Sequence, residues 1–424
     1  MSQTGLPARR AAHYLLMQIT GEGRLMPELI AGGALAKLGL DDRARSQRLA
    51  TDTLRGLDRA DRMLKPYLKK TPPPHVMNAL RLGTVELCAG TAAHGVVNAY
   101  VEIVARNKRT QSMKGLTNAV LRKIANEGPE GWNKRPVPLT PGWLRQPLVA
   151  AWGRDAVTGM ETAHFAGAPL DITAKGDPAI VAHRLGGALL STGSVRLEGA
   201  GQVSALPGYE SGDWWVQDAA AALPVRLLGD VHGLNVLDLC AAPGGKTLQL
   251  AAGGADVTAV DVSDKRMARV EQNLTRTGLS AKTVVSDVFA FDQTGFDAIL
   301  LDAPCSATGT IRRHPDLPYA KNGSEFGALI DQQAVMLDHA LTLLRPAGRL
   351  VFCTCSLLPD EGEVQVEEVL ARHPDLTTDR DTLDRPGIDA DWITSEGGLR
   401  LRPDYWPNQG GMDGFYMAVL TKAG

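Results

Sequence analysis

At 424 residues the chain exceeds what one compact core usually holds, which points to two or three domains. Apolar residues make up 44% and charged residues 22%, an ordinary balance for a globular protein, and no apolar run is long and charge-free enough to span a bilayer. The net charge of −2 conceals an asymmetry: residues 1–150 carry 23 Lys and Arg against 11 Asp and Glu (+12), and the remainder carries 22 against 36 (−14). A basic segment joined to an acidic one suits contact with a polyanion, although a solvated helical surface without a partner reads the same way.

In chain order, residues 6–126 read as helices, with apolar residues at helical spacing in 11–19, 46–68, 76–88 and 97–103. Asp41 is placed to cap a helix, and TPPPH at 71–75 separates two of them. Basic residues gather at Arg106, Lys108 and Arg109 and again at Lys114, Arg122 and Lys123. The stretch EGPEGWNKRPVPLTPGWLRQP (127–147), rich in Gly, Pro and Trp, reads as a linker. Residues 148–225 change pattern: a helix over 148–164, strands at 170–174, 194–197, 202–205 and 214–216, and a helix near 180–190 suggest a small α+β module.

From Gly233 onward the alternation is regular. Strands at 235–239, 256–260, 282–285, 298–301 and 349–353 are separated by helices at 247–252, 265–277 and 326–344. Such alternation implies a doubly wound parallel sheet, an α/β fold in which ligands bind beyond the carboxyl ends of the strands. Those ends read DLCAAPGGKT, VDVS, SDVF, LDAPC and FCTCS, each with an acid, a cysteine or both.

The first of these loops bounds the cofactor. DLCAAPGGKT (238–247) has Cys240 where a P-loop needs glycine, and it does not fit G-x-G-x-x-G. Gly244 and Gly245 still permit a tight turn close to a ligand. Asp261, at the end of the second strand, is placed to accept hydrogen bonds from the two hydroxyls of a ribose. The combination suggests a nucleoside without a polyphosphate, with S-adenosylmethionine the foremost candidate, beside the plainer reading of a structural strand–turn–helix.

DLCAAPGGKT, DAPCSATGTIRRHPD, CTCSLLPDEGE and DGFYMA together resemble the bacterial rRNA (cytosine-C5) methyltransferases of the Sun/RsmB type, over nearly the whole chain and in family order. The resemblance implies four segments: a NusB-like all-α RNA-binding domain over 1–130, a linker over 131–147, a small α+β RNA-recognition-like subdomain over 148–225, and a Rossmann-like S-adenosylmethionine-dependent methyltransferase domain over 226–424. It also implies methylation of cytosine C5 in RNA, foremost 16S rRNA. Cys355 would be the nucleophile that adds to C6, Cys305 would assist release, and Asp302 would bond the cytosine edge. The cofactor would lie against Cys240, Ala241, Ala242, Pro243, Gly244, Gly245, Lys246, Asp261, Arg266 and Asp287, with Asp302 on the methyl-donor side. Arg312, Arg313 and His314 would hold phosphates beside the target nucleotide, and Arg106, Lys108 and Arg109 would add affinity from the helical domain.

A tRNA substrate, or an RNA-binding antitermination factor with a scaffolding methyltransferase domain, is the competing reading. Small departures accompany the resemblance: Glu361-Gly362-Glu363 stands for Glu-Asn-Glu, alanines occupy 219–222, and RPAGR (345–349) replaces a Pro-Gly-Gly turn.

Five cysteines in no disulfide spacing, with an N-terminus lacking the apolar core of a signal peptide, suggest a reduced, cytoplasmic protein. Cys88 is expected in a helical core. Cys353, two residues before Cys355, is expected to point away from it into packing. Nothing at zinc-ligand spacing pairs histidines with the cysteines, so no metal is expected, nor DNA, a membrane or a second copy of the chain.

Overall fold

The computed structural model describes residues 5–423; residues 1–4 and 424, included at the outer ends of the expected domains, lie outside the described residues. The chain forms two compact units. One comprises residues 1–167 together with 311–323, and the other comprises 168–310 together with 324–424.

The first unit is helical. Helices Leu6–Glu22, Leu40–Arg55, Pro74–Cys88, Ala93–Arg106 and Lys114–Asn133 surround an apolar core that includes Leu15, Leu16, Ile19, Leu80, Tyr100 and Leu121. A buried carboxylate lies inside it: Glu86 meets Arg9 at 2.6 Å and Arg45 at 3.3 Å, and the Tyr100 hydroxyl donates to it at 2.9 Å. Gly83 lets two helices meet closely, since a Cβ there would lie 2.7 Å from Leu121. Cys88 is buried in this core, as its apolar helix implies.

Three readings of this region need correction. Asp41 does not cap; the helix begins at Leu40 after Gly39, and Asp41 sits in its first turn. The predicted helix over 46–68 is broken at Gly56 into Leu40–Arg55 and Leu57–Leu64. The expected linker 131–147 is helical at both ends and irregular over 134–141: after a kink at non-helical Gly128 the preceding helix runs to Asn133, and Gly142–Trp152 begins before the stretch ends. That last helix and Arg154–Ala166 lie in the helical unit, whose first segment ends at Gly167.

The second unit holds two sheets. Strands β1 (Leu170–Ala174), β2 (Ala188–Leu189), β3 (Val195–Leu197) and β4 (Trp214–Val216) form an antiparallel sheet in the order β2-β3-β1-β4. The expected strand at 202–205 is a short 3₁₀ turn, Val203–Ala205. The larger sheet contains β5 (Asn235–Leu239), β6 (Asp256–Asp261), β7 (Lys282–Val285), β8 (Phe296–Asp302), β9 (Leu344–Thr354), β10 (Leu376–Thr378), β11 (Leu399–Leu401) and β12 (Phe415–Lys422). Its order is β10-β12-β9-β8-β5-β6-β7, with β11 on β12. The pairs among β5 to β9 are parallel, and β12 runs antiparallel to β9.

The central strands carry apolar residues on both faces through their middles because both faces are covered. Leu237, Leu239, Ile299, Leu301, Leu350 and Phe352 enter the core under helices Phe326–Leu343 and Glu363–Arg372. Val236, Ala298, Leu300, Val351 and Cys353 enter the opposite one. This alternation fixes which side chains emerge at the strand ends. Cys353 and Cys355 are two residues apart, and residues at that spacing share a face. Both pack against the same core, which corrects the expectation that Cys353 turns away.

The RPAGR stretch is a bulge in β9, with a register shift against β8. Ala347 sits there in the left-handed region at φ 58, exposed, where a side chain is strained. Ala347→Gly is expected to raise stability by up to about 1 kcal/mol in thermal unfolding, the relief of strain exceeding the added chain entropy. A loss of stability would contradict this account of the turn.

Candidate active site

The loop after β5 carries the first part of the site. Cys240 takes a left-handed conformation (φ 61), and Gly244 (φ 100) turns the chain into helix Gly245–Ala252. A Cβ on Gly244 would press against Val270 at 3.1 Å, so the turn needs glycine there; Gly245 has ordinary clearance. Asp238 is fully buried beneath the loop. Thr247 Oγ1 donates to its Oδ2 at 2.6 Å, and its Oδ1 has no partner. Burial pushes this carboxyl up to about 7, against the opposing pull of the Thr247 bond and Lys246.

Asp261, at the end of β6, accepts the backbone N–H of Ala242 at 3.1 Å and of Ser263 at 3.0 Å, one on each oxygen. Each oxygen keeps a lone pair for a further donor. The Arg266 guanidinium lies 3.7 Å from Asp261 and donates to the Ala242 carbonyl, tying the acid to the loop. Asp287 is exposed and caps the turn Val288–Ala290 through the Phe289 N–H at 2.9 Å. The orphaned Asp238 oxygen, the Gly244 turn and the spare acceptors of Asp261 fit a nucleoside lacking a polyphosphate. Cys240 to Lys246, Asp261 and Arg266 surround that place.

Lys246 and Asp302 join this loop to β8. Lys246 Nζ meets Asp302 Oδ2 at 2.7 Å and lies 5.2 Å from the centre of the Phe415 ring. Burial alone would depress the ammonium, but the Asp302 charge and hydrogen bond, with Cys353 and Asp238, together outweigh it and the net shift is upward. Lys246 is therefore a buried, paired cation and not the solvent-facing residue that a helix start allows. The other Asp302 oxygen accepts a weak bond from Cys353 Sγ at 3.5 Å. Burial and the neighbouring Asp302 charge hold Cys353 well above the usual thiol range, and burial pushes Cys240 up to about 12. Neither behaves as a ready thiolate.

Beyond Asp302 the two remaining cysteines meet. Cys305 Sγ and Cys355 Sγ lie 3.5 Å apart although fifty residues separate them. Their positions are set from beneath by Glu361, which is fully buried. One of its oxygens accepts the Ser306 N–H at 2.9 Å and the Gln333 amide at 3.1 Å. The other accepts the hydroxyls of Ser306 at 2.5 Å and Ser356 at 2.6 Å. One carboxylate thus holds the residue after each cysteine. Thr308 adds a bond from the Leu357 N–H at 2.9 Å, and Gly309 donates to the Cys355 carbonyl at 2.9 Å. Gly309 packs so closely on Gly414 that a Cβ would fall 1.9 Å from its carbonyl oxygen. The hydrogen bond with Cys355, followed by burial, keeps Cys305 well above the usual thiol range, so its proton is firmly held.

Sequence reasoning missed Glu361, Ser306, Ser356 and Gln333. The available signal was the repeated Cys-Ser pair in APCS and TCS, followed by an acid in a loop.

The expected RNA-contacting residues divide differently. Arg312 is wholly buried within the helical unit, where its carbonyl accepts from Arg55 at 3.1 Å, so it does not face a phosphate. Segment 311–323 belongs to that unit, and Asp316 within it is buried, accepting the Met26 N–H at 2.7 Å. Of the three, Arg313 is exposed and His314 is partly buried, with burial and then Arg313 depressing its basicity. Arg106 and Lys108 line a cleft of about 390 Å³ with Arg10, His13 and His75, while Arg109 is exposed nearby in sequence.

Fold and site together define a Rossmann-like methyltransferase that holds S-adenosylmethionine. Comparison with known proteins narrows the class. Residues 225–421 match the family described as 16S rRNA methyltransferase RsmB/F, and residues 6–126 match the NusB family. The chain is 33% identical to the ribosomal RNA small subunit methyltransferase B of Sodalis glossinidius (strain morsitans), over 98% of this chain and 96% of that protein. It is 34% identical to the protein of the same name from Pseudomonas putida, over 98% of each. Among solved structures, PH0851 is similar with a TM-score of 0.74 at 21% identity, over 98% of this chain and 99% of that one. NSun6 from Pyrococcus horikoshii, solved with SFG, gives 0.56 at 19%, over 67% and 98%. At these identities the structural likeness speaks for the fold alone. The chain belongs to the RsmB/F family of 16S rRNA methyltransferases: it is an enzyme that transfers methyl groups from S-adenosylmethionine to small-subunit rRNA.

Two expectations follow. The Asp238 carboxyl, at about 7 against an ordinary 3.8, is favoured in its protonated form by the fold. That contribution is complete below about pH 4 and is lost as pH rises through 7. Asp238→Asn, measured without cofactor, should match the wild type in thermal unfolding at pH 4 and exceed it at pH 8; an equal deficit at both would contradict the assignment. Glu361→Gln turns an amide toward donors, so it should lower methyl transfer roughly 10²-fold through misplaced loops while leaving cofactor affinity unchanged. Full activity would show that Glu361 does not set the cysteine geometry.

Proposed function

We propose that this enzyme methylates carbon 5 of cytosine in small-subunit rRNA, and that it does so through a covalent bond between Cys355 and C6. The single observation that supports this reading is the pair of thiols 3.5 Å apart at the ends of two strands, beside Asp302 and the cofactor loop. Direct alkylation of an exocyclic nitrogen needs no thiol, whereas carbon methylation of an electron-poor ring does.

In this reading the Cys355 thiolate adds to C6, forming a C–S bond and moving the C5–C6 electron pair onto C5. Asp302, at the end of β8, bonds the N3/N4 edge of the base and favours that shift. The C5 electron pair takes the electrophilic methyl group that bound S-adenosylmethionine would supply, the methyl–sulfonium bond breaking to leave a neutral thioether. The C5 proton must then leave, its electron pair reforming the C5–C6 double bond while the C6–S bond breaks and returns the Cys355 thiolate. With Cys355 held in the thioether, the hydrogen bond that most raises Cys305 is gone, its thiol gives its proton to solvent, and the resulting thiolate accepts the C5 proton. A thiol of high proton affinity is the better base for this step and the poorer first nucleophile. The target cytosine must be unpaired or flipped out for sulfur to reach C6. Small-subunit rRNA is favoured over tRNA by the full-length relatives, which bear that substrate in their names.

Cys355→Ala should abolish methyl transfer. Cys305→Ala should still add and methylate but release slowly, accumulating a protein–RNA adduct visible as a shifted band on a denaturing gel. The adduct should be absent in the double variant. Trapping by Cys355→Ala instead would reverse the two roles, and full activity in Cys355→Ala would sink the thiol-addition mechanism.

A further inference from the structure

A cleft of about 340 Å³ opens between the small antiparallel sheet and helix Gly245–Ala252, and no step above uses it. Lys175, Arg226, Thr173, Gly193 and Trp215 line it, and no carboxylate does among the described residues. Thr173 is 5% exposed and its Oγ1 has no hydrogen-bond partner. It pairs with Trp215 across β1 and β4, so both side chains share one face of the sheet. The hydroxyls of Thr192 and Ser194, on either side of Gly193, are also buried and unpartnered.

Arg226 donates one bond to the Thr192 carbonyl, and its guanidinium carbon would lie 3.5 Å from a Cβ on Gly193. Burial pushes it down to about 10, which leaves it charged at neutral pH. Lys175 spends one of its three donors on the Thr277 carbonyl at 2.6 Å. A third cation, Arg385, is within reach, its Nη2 lying 3.5 Å from where a Cβ on Gly229 would be.

A partly buried guanidinium without a carboxylate, beside orphaned hydroxyl donors, is a costly arrangement unless an anion completes it. Helix Gly245–Ala252 does end at the cleft, but its terminal carbonyls amount to about half a negative charge, less than the two or three full positive charges they meet. From the geometry we infer that this cleft binds a phosphate of the rRNA backbone, held by Arg226, Lys175 and the Thr173 hydroxyl. Planar guanidinium and hydroxyl donors match the several oxygens of one phosphodiester. The cofactor loop sits at the other end of the same eight-residue helix, roughly 12 Å away. The phosphate would therefore belong to a nucleotide flanking the target, anchoring the strand while the target base is displaced. The inference rests on rRNA being the substrate and not on which atom is methylated.

The test is binding of a small-subunit rRNA fragment to full-length protein across a salt series, for Lys175→Gln, Arg226→Gln and the double variant. Losing this one phosphate should flatten the log-affinity against log-salt slope by about 0.7–0.9 in the double variant, with part of that loss in each single variant. Cofactor affinity should be unchanged, since neither residue touches the proposed cofactor place. Lys175 is exposed, so its variant keeps the test valid where Arg226→Gln fails to fold. An unchanged slope in Lys175→Gln and in a folded double variant would overturn the inference. Calorimetry with inorganic phosphate separates the other source of the same chemistry. Phosphate binding that is lost in the variants while the rRNA slope stays constant would assign the cleft to a free anion and overturn the RNA reading. A wild-type protein that does not bind the fragment at all would instead count against rRNA as the substrate.

Discussion

Two thiols contributed by segments fifty residues apart do not approach to 3.5 Å without something to hold them, and here that constraint is one buried carboxylate. Glu361 receives a backbone N–H, two hydroxyls and an amide, and its own backbone carbonyl accepts the Thr354 hydroxyl at 2.8 Å. A buried charge is tolerated only when its hydrogen bonds are met, and meeting them here requires both cysteine loops to be in place. The satisfaction of Glu361 and the geometry of the sulfur pair are thus a single condition. The Gly309–Gly414 contact closes the same region from the side of β12, with no room for a side chain.

The second organising feature is the row of acids at the carboxyl ends of the parallel strands. Asp238, Asp261 and Asp302 lie on neighbouring strands, and their charges act on one another and on Cys240. Their environments separate their roles. Asp261 is stabilised by two backbone N–H groups and Asp302 by the Lys246 ammonium, whereas Asp238 is buried deepest with a single hydroxyl donor and is pushed up. One sheet edge thereby offers a hydrogen-bond acceptor for a ribose and a paired acid beside the reacting base, without three like charges competing in one place.

Much of this was legible in the sequence because it depends on local chemistry. The apolar runs of β5, β8 and β9, buried on both faces, announce themselves without alternation, and the turn at Gly244 needs the glycine that the sequence supplies. What was not legible depends on partners far away in the chain. The IRRHPD run reads as a basic loop, yet Arg312 is buried within the helical unit, a placement that local charge pattern does not encode. The stretch at 127–147 reads as a linker from its prolines and glycines, yet helices take up both of its ends, one restarting at Pro129 after the kink at Gly128 and the other containing Pro147. Glu361 stands in a loop whose neighbours in sequence say nothing of Ser306 or Gln333. The placing of Cys353 failed for a simpler reason: residues two apart on a strand share a face.

The central claim is that Cys355, held beside Cys305 by Glu361, forms the bond to C6. It is tested most directly in wild-type protein with small-subunit rRNA carrying 5-fluorocytosine, whose C5 fluorine cannot leave as a proton does and so blocks release. After incubation with S-adenosylmethionine, nuclease and protease digestion followed by mass spectrometry locates the adduct. The account predicts a methylated fluorocytidine attached to the peptide containing Cys355. Attachment at Cys305, or methyl transfer to unsubstituted rRNA with no adduct on either cysteine from the fluorinated one, would contradict it.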